Sequence, residues 1–295
     1  MSIRNNSDRI NPRDLNQDTP PQNSQHPSTV QEPDPQVAPM SFSVPTEFVE
    51  LPSKGAFYGE GHSLNGVSSI EIKFMTAKEE DILTSKTLLK KNLTIDRLLR
   101  SIMVDRSINP DDLLIGDKNA LIIAARITGY GAEYATGINC PSCGAKNQYS
   151  IDLERALQDT PKFQTDSNDA TLTDRGTFVV EAPRTKAKVE FKMLNGYDER
   201  RLQKMEEQRR KNKLPESLAT TTMNAFIVSV NDNADRGYIA SFIENAPAAD
   251  ARYVREAYRI LSPSVEMSFE FCCNSCGHEQ NMEVPLNAEF FWPQR

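Results

Sequence analysis

Apolar positions along this chain follow two rhythms, one of about 3.6 residues and one of two, and their order predicts the elements. The run "VEMSFEF" at 265–271 alternates strictly, as a half-buried strand does. "IEIKF" at 70–74 reads as another strand. Thr76 and Glu79 follow it at capping-box spacing and predict a helix start. Ile95, Leu98, Leu99, Ile102 and Met103 then form one helical stripe, which is core. Asn109 and Pro110 resemble a cap followed by a first-turn proline, and Asp117 is placed to cap the helix "ALIIAARI" runs through. Beyond Asp250, Tyr253, Val254, Ala257, Tyr258 and Leu261 make a second helical stripe. "VPTEFVELPSKGAFYGEGHSLNG", from Val44, is punctuated by Gly, Pro and Ser, which predicts turns between short strands.

The pattern also repeats. "CPSCG" at 140–144 recurs as "CNSCG" at 273–277, an offset of 133. At that offset Asp117 falls on Asp250, Ala124 on Ala257, Arg126 on Arg259 and Ile127 on Ile260, while Ile151 and Leu153 fall on Val284 and Leu286. At smaller offsets, "IEIKFM" (70–75) resembles "VEFKML" (189–194), and "SKGAF" (53–57) resembles "DRGTF" (174–178). Four matches in the same order point to divergent duplication. The expected fold is α+β, two divergent copies of a strand–helices–knuckle hairpin module, 45–160 and 161–295, joined through a shared four-Cys site.

Composition adds a third segment. Residues 1–40 hold seven prolines and many Asn, Gln, Ser and Asp, but no Phe, Tyr or Trp. Such a stretch buries too little surface to offset the entropy of ordering, so 1–44 is expected to be a disordered polar tail. The 295-residue chain carries a net charge of −7, with 34 basic against 41 acidic residues. That balance gives no electrostatic footprint for direct nucleic-acid binding. The run "DERRLQKMEEQRRKNK" at 198–213 interleaves Glu with Arg and Lys, as a solvated helix does, rather than forming a basic RNA-binding face. The first residues lack an apolar signal region, and "ALIIAA" at 120–125 is too short to cross a bilayer. An unsecreted, cytoplasmic protein without membrane contact is expected, with its thiols reduced.

In a reducing setting, paired cysteines more often hold metal than form disulfides. A Cys-x-x-Cys-Gly turn at a hairpin tip points two thiolates to one side. Two such turns supply four sulfurs, a closed tetrahedral zinc site. The repeat register selects Cys140, Cys143, Cys273 and Cys276 as ligands to one structural Zn2+ per chain, and leaves Cys272 over. His278, two residues past Cys276, is the only plausible substitute ligand. Other readings stay open: two thiol redox motifs, which are expected at strand-to-helix junctions rather than between strands; cysteines without metal; or an iron–sulfur cluster. His62 lies in a loop with no catalytic partner in sequence. There is no phosphate loop, nucleophile elbow or His-rich metalloenzyme motif, so an enzymatic role and a small-molecule substrate have no support.

Several phrases in order, "ELPSKGAFYGEGHSLNG", "IEIKFMTAKEEDILTS", "DRLLRSIMVD", "DDLLIGDKNALIIAARITGYG", "CPSCG" and "FFWP", resemble the baseplate hub family of T-even-type contractile-tailed bacteriophages. The resemblance covers 45–153 closely and the second half through its knuckle and C-terminal aromatics. It implies a part in building the central hub of the tail baseplate and supplies no catalytic residues. The expected partners are baseplate hub and tape-measure proteins, met in the host cytoplasm during infection or in the virion tail. The role expected is a hub assembly factor, with a permanent hub subunit as the alternative and a zinc-ribbon regulator of host transcription as the outside option.

Overall fold

The computed structural model describes residues 43–158, 170–213, 218–265, 267–284, 286 and 288–291. All but the last two positions of the expected polar tail, 1–44, fall outside the described residues, as does Trp292 of "FFWP". Strand β1 (Thr46–Glu50) lies antiparallel to β2 (Ser69–Lys73), with Val49 opposite Ile70. The 18 residues between them form successive turns rather than further strands. Thr76 closes the start of α1 (Ala77–Thr84): its backbone N–H and hydroxyl both donate to the Glu79 carboxylate. A short α2 (Lys86–Lys90) leads to α3 (Thr94–Ile102), which buries Leu98, Leu99 and Ile102. Met103 then bridges to Ile72, so the predicted stripe ends on the sheet.

The next helix, α4 (Ile115–Tyr130), is the centre of the fold: Ala120 to Ala125 are all buried. Sequence reasoning places its start wrongly. Asn109 and Pro110 sit in turns, the helix is entered from Leu114, and Asp117 is the third helical residue, not its cap. Gly116 explains the close entry, because a Cβ there would lie 1.8 Å from the Pro263 carbonyl oxygen. Hairpin β3 (Glu133–Asn139) and β4 (Lys146–Asp152) follows, then α5 (Leu153–Gln158).

The second half opens on β5 (Ala170–Leu172), β6 (Phe178–Glu181) and β7 (Lys188–Phe191). Helix α6 (Gly196–Lys211) is capped by Asn195, whose side chain accepts from the Asp198 N–H, and largely faces solvent, as its mixed charges predict. Helix α7 (Leu218–Phe226) runs directly into β8 (Ile227–Val230), which completes an antiparallel sheet in the order β5-β6-β7-β8. Helices α8 (Arg236–Asn245) and α9 (Ala248–Leu261) precede the last hairpin, β9 (Ser268–Cys272) and β10 (Glu279–Glu283), and a 3-10 turn at Ala288–Phe291. The molecule is therefore α+β.

One cluster of buried apolar side chains runs through both halves. Phe57 meets Phe178 at 5.3 Å between ring centres, and Tyr134 meets Phe290 at 5.0 Å. Charged groups cross as well. Lys118 on α4 reaches Asp96 on α3 at 3.0 Å and Glu199 on α6 at 2.9 Å, while Arg200 pairs with Asp96 and Asp111. The neighbouring carboxylates of Glu199 and Asp96 more than offset the effect of burial on Lys118, and its ammonium is held above the usual lysine range.

Two buried carboxylates fasten loops to helix starts in the same way. Asp117 accepts from the Ser53 N–H (2.9 Å), the Ser53 hydroxyl (2.6 Å) and the Tyr58 hydroxyl (2.7 Å). Asp250, third in α9, accepts from the Arg184 N–H (2.8 Å), the Thr185 N–H (2.9 Å) and the Thr185 hydroxyl (2.7 Å). Burial outweighs the hydrogen bonds at Asp117 and pushes its carboxyl up. Asp250 is closed to solvent but lies just under the surface. There the opposing effect of burial is overcome by Thr185, the two amides and the Arg184 charge, and its carboxyl is held below the usual range.

Candidate metal centre

The two hairpin tips fold into the same knuckle. In the first, Cys140 N–H donates to Ala145 O at 2.9 Å and Gly144 N–H donates to Cys140 O at 2.8 Å. In the second, Cys273 N–H donates to His278 O and Gly277 N–H to Cys273 O, both at 2.9 Å. Gly144 and Gly277 have φ of 73° and 71°, a left-handed conformation that costs a side-chain-bearing residue and costs glycine little. The glycine after each Cys pair therefore lets the chain turn back beneath the sulfurs.

The knuckles meet tip to tip. The sulfurs of Cys140, Cys143, Cys273 and Cys276 all lie within 4.8 Å of one another. Cys140 Sγ is 3.7 Å from Cys276 Sγ, and Cys143 Sγ is 3.7 Å from Cys273 Sγ. Tetrahedral zinc with bonds of about 2.3 Å requires sulfurs roughly 3.8 Å apart, so the donor set fits such an ion in number, chemistry and spacing. One cysteine of each pair, Cys140 and Cys273, is buried, and the other is exposed.

The hairpins are held together by more than their sulfurs. Asn147 on β4 donates to Ala145 O (2.9 Å) and approaches Cys273 Sγ (3.6 Å), while its Oδ1 accepts from the Asn274 N–H (2.9 Å). The Tyr149 hydroxyl accepts from the Cys272 N–H at 2.6 Å and donates to the Cys272 carbonyl. Its ring packs on Phe269 and Phe271, at 5.5 and 5.3 Å between centres. Sequence reasoning missed Asn147 and Tyr149, since each acts on a residue more than 120 positions away and neither carries a motif.

Cys143 and Cys273, 3.7 Å apart, do not titrate alone. Burial raises the Cys273 thiol, yet the N–H groups of Ser275 and Cys276, the Asn147 amide and Cys143 together lower it to about 6. At Cys143 the Ala145 N–H lowers the thiol, but Cys276, Cys273 and Cys140 push it up to about 12. The two thiols are thus driven in opposite directions, as when one negative charge disfavours a second beside it. Cys272, left over by the repeat register, is exposed on β9 outside the group, and His278, the substitute ligand considered, is outside it too and contributes its carbonyl to the knuckle. His62 organises its own loop, with its ring stacked on Tyr58 at 4.8 Å and Nδ1 accepting from the Leu64 N–H.

Fold and site thus define an α+β protein whose two hairpins meet at a cluster of four cysteines able to bind a metal such as zinc. No helix among the described residues is long and apolar enough to cross a membrane. The chain belongs to the T4 bacteriophage base plate protein family, whose model matches residues 44–292. It is accordingly a T4-type phage baseplate protein; the family implies contacts with other baseplate proteins and suggests a site of action at the virion tail. No curated protein matches significantly, and neither does any solved structure.

Proposed function

We propose that this protein is a non-enzymatic assembly factor for the central hub of the tail baseplate, a rigid scaffold of two divergent modules clasped by one structural zinc. The observation that carries this reading is the convergence of four sulfurs from knuckles more than 125 residues apart. Cys140, Cys143, Cys273 and Cys276 would hold the ion, and four thiolates leave no coordination position for water, so its contribution is to stability and not to catalysis. Hub and tape-measure proteins are the proposed partners, met in the host cytoplasm.

The module boundaries, 45–160 and 161–295, are supported by features repeated in order. "VELP" at 49–52 and "VEAP" at 180–183 each end a strand and enter a loop fastened by a buried aspartate. The helix starts at Thr76/Glu79 and Asn195/Asp198 are both capping boxes, 119 residues apart. These bonds favour Ser53 and Thr185 as counterparts, at an offset different from that of "SKGAF" and "DRGTF".

The transient role is favoured over a permanent subunit by the surface. Obligate subunits bury large apolar interfaces, whereas transient partners are more polar. Among the described residues the large exposed apolar side chains are spread over several elements, such as Phe48 on β1, Tyr197 and Met205 on α6, Tyr238 on α8 and Ile260 on α9. The test is quantitative mass spectrometry of washed virions against infected-cell lysate. The protein should be abundant in lysate and depleted in virions, and baseplates should fail to form without it. Stoichiometric recovery from virions would make it a permanent subunit, and normal tails in its absence would remove both roles.

A further inference from the structure

Among the described residues, strand β1 has one unpaired edge. Its ladder with β2 is bounded by Leu51 N–H donating to Ser68 O (2.8 Å) and Phe74 N–H donating to Pro45 O (2.9 Å). In an antiparallel pair the hydrogen-bonded residues alternate, so Glu47 and Val49 also face β2. The backbone groups of Thr46, Phe48 and Glu50 therefore point the other way. Among the described residues, β1 and β2 make a two-stranded sheet and no strand pairs with that outer edge.

The second half shows what such an edge accepts. There "VEAP" ends β6 as "VELP" ends β1, which makes Val179 the counterpart of Phe48. Val179 pairs with Thr171 of β5, an antiparallel strand laid along the same edge. Beside β1 that position is instead a groove of about 450 Å³, lined by Phe48, Leu51, Ala120, Ala124, Leu157 and Val265. Phe48 is 68% exposed beside it, although it is the bulkiest apolar side chain of the strand. Glu47 and Glu50 also line the groove, with Lys54 the one cation against them among the described residues, so its rim is acidic. Unpaired edges of this kind are normally blunted or covered.

We propose that the β1 edge is a docking site for an extended segment of another baseplate protein, which adds as a third antiparallel strand and carries both apolar and basic side chains. Backbone bonds to Thr46, Phe48 and Glu50 would hold the segment, the apolar floor from α4 and Val265 would take its apolar side chains, and Glu47 and Glu50, one on each face of β1, would attract its basic ones. The proposal rests on membership of the baseplate family and not on whether the protein leaves the finished particle.

The test places a photo-crosslinking phenylalanine analogue at Phe48 in protein expressed during infection, with the crosslinked peptides sequenced. A crosslink to an apolar and basic segment of another baseplate protein is expected. Crosslinks only to a second copy, only to other residues of the same chain, or to nothing would overturn the proposal. Phe48→Pro removes an outward N–H and none of the β1–β2 bonds, and should cut recovery of that partner about tenfold, the equivalent of roughly 1.4 kcal/mol. The double variant Glu47→Lys, Glu50→Lys keeps the strand and should weaken the same complex. It decides the matter if the proline variant melts early. Undiminished binding by the charge-reversed protein would contradict the assignment. Because the partner is identified whether or not the protein persists in virions, failure here is separable from failure of the assembly-factor reading.

Discussion

Replacing each buried aspartate by asparagine separates two sites that look equivalent. Asp250 receives two backbone N–H groups, one on each carboxylate oxygen, from Arg184 and Thr185. Whichever way an amide is turned, its NH2 must face one of them. A buried N–H is then left unpaired, at a cost of about 1–3 kcal/mol, and a charge-assisted bond is weakened besides. Asp250→Asn should therefore destabilise by about 2–3 kcal/mol, which for a chain of this size lowers Tm by roughly 5–10 °C. Asp117 receives only one N–H, from Ser53, and its other partners are the hydroxyls of Ser53 and Tyr58, which can accept as well as donate. Asp117→Asn leaves hydroxyl protons, which can rotate, rather than a fixed backbone N–H to be re-paired, the two hydroxyls already accepting from the Gly55 and Leu114 N–H groups, and should cost about 1 kcal/mol, less than Asp250→Asn.

The pH dependences have opposite signs. The Asp117 carboxyl is raised, so its favourable contribution is present below the unfolded carboxylate pKa and is lost as pH rises through its folded value. The wild type should lose ground to Asp117→Asn as pH climbs out of the carboxylate range. The Asp250 carboxyl is lowered, so its contribution is present above the unfolded pKa and lost as pH falls through the folded one, and Asp250→Asn should flatten the acid limb. Thermal melts of the three proteins across acidic and neutral pH measure all of this. Equal losses from both variants, or a greater loss from Asp117→Asn, would refute the hydrogen-bond assignment.

Gly116→Ala should destabilise by about 2–3 kcal/mol in chemical denaturation, because its Cβ meets Pro263 backbone that has nowhere soft to move. Lys118→Met leaves Asp96 and Glu199 without their shared cation and should cost about 3 kcal/mol, while the triple variant that also neutralises both acids should recover part of that loss. Cys272→Ser should leave metal content and melting temperature unchanged, since that thiol lies outside the sulfur cluster.

Local chemistry was legible in the sequence wherever neighbours in sequence are also partners. The Thr76/Glu79 box and the Leu98, Leu99, Ile102 stripe are of this kind, and the structure has both. The knuckles were legible because each Cys-x-x-Cys-Gly turn is complete in itself, and the repeat offset said that the two belong together. Where partners are distant, the reading failed. Asp117 looks like a helix cap because an acid near a helix start usually is one, and only the fold brings Ser53 and Tyr58 to it. Strand β8 was hidden in "FIVSV", an apolar run whose short length suits strand or buried helix equally. The groove beside β1 had no sequence signal, since α4, α5 and Val265 meet it only in three dimensions.

The clasp joining the two halves is tested most directly by elemental analysis of protein purified without chelator, alongside Cys143→Ser and Cys276→Ser. The account predicts about one zinc per wild-type chain and, since metal binding is coupled to folding, a loss of both metal and thermal stability in each variant. Metal-free wild-type protein that melts at the same temperature with and without added zinc would contradict it.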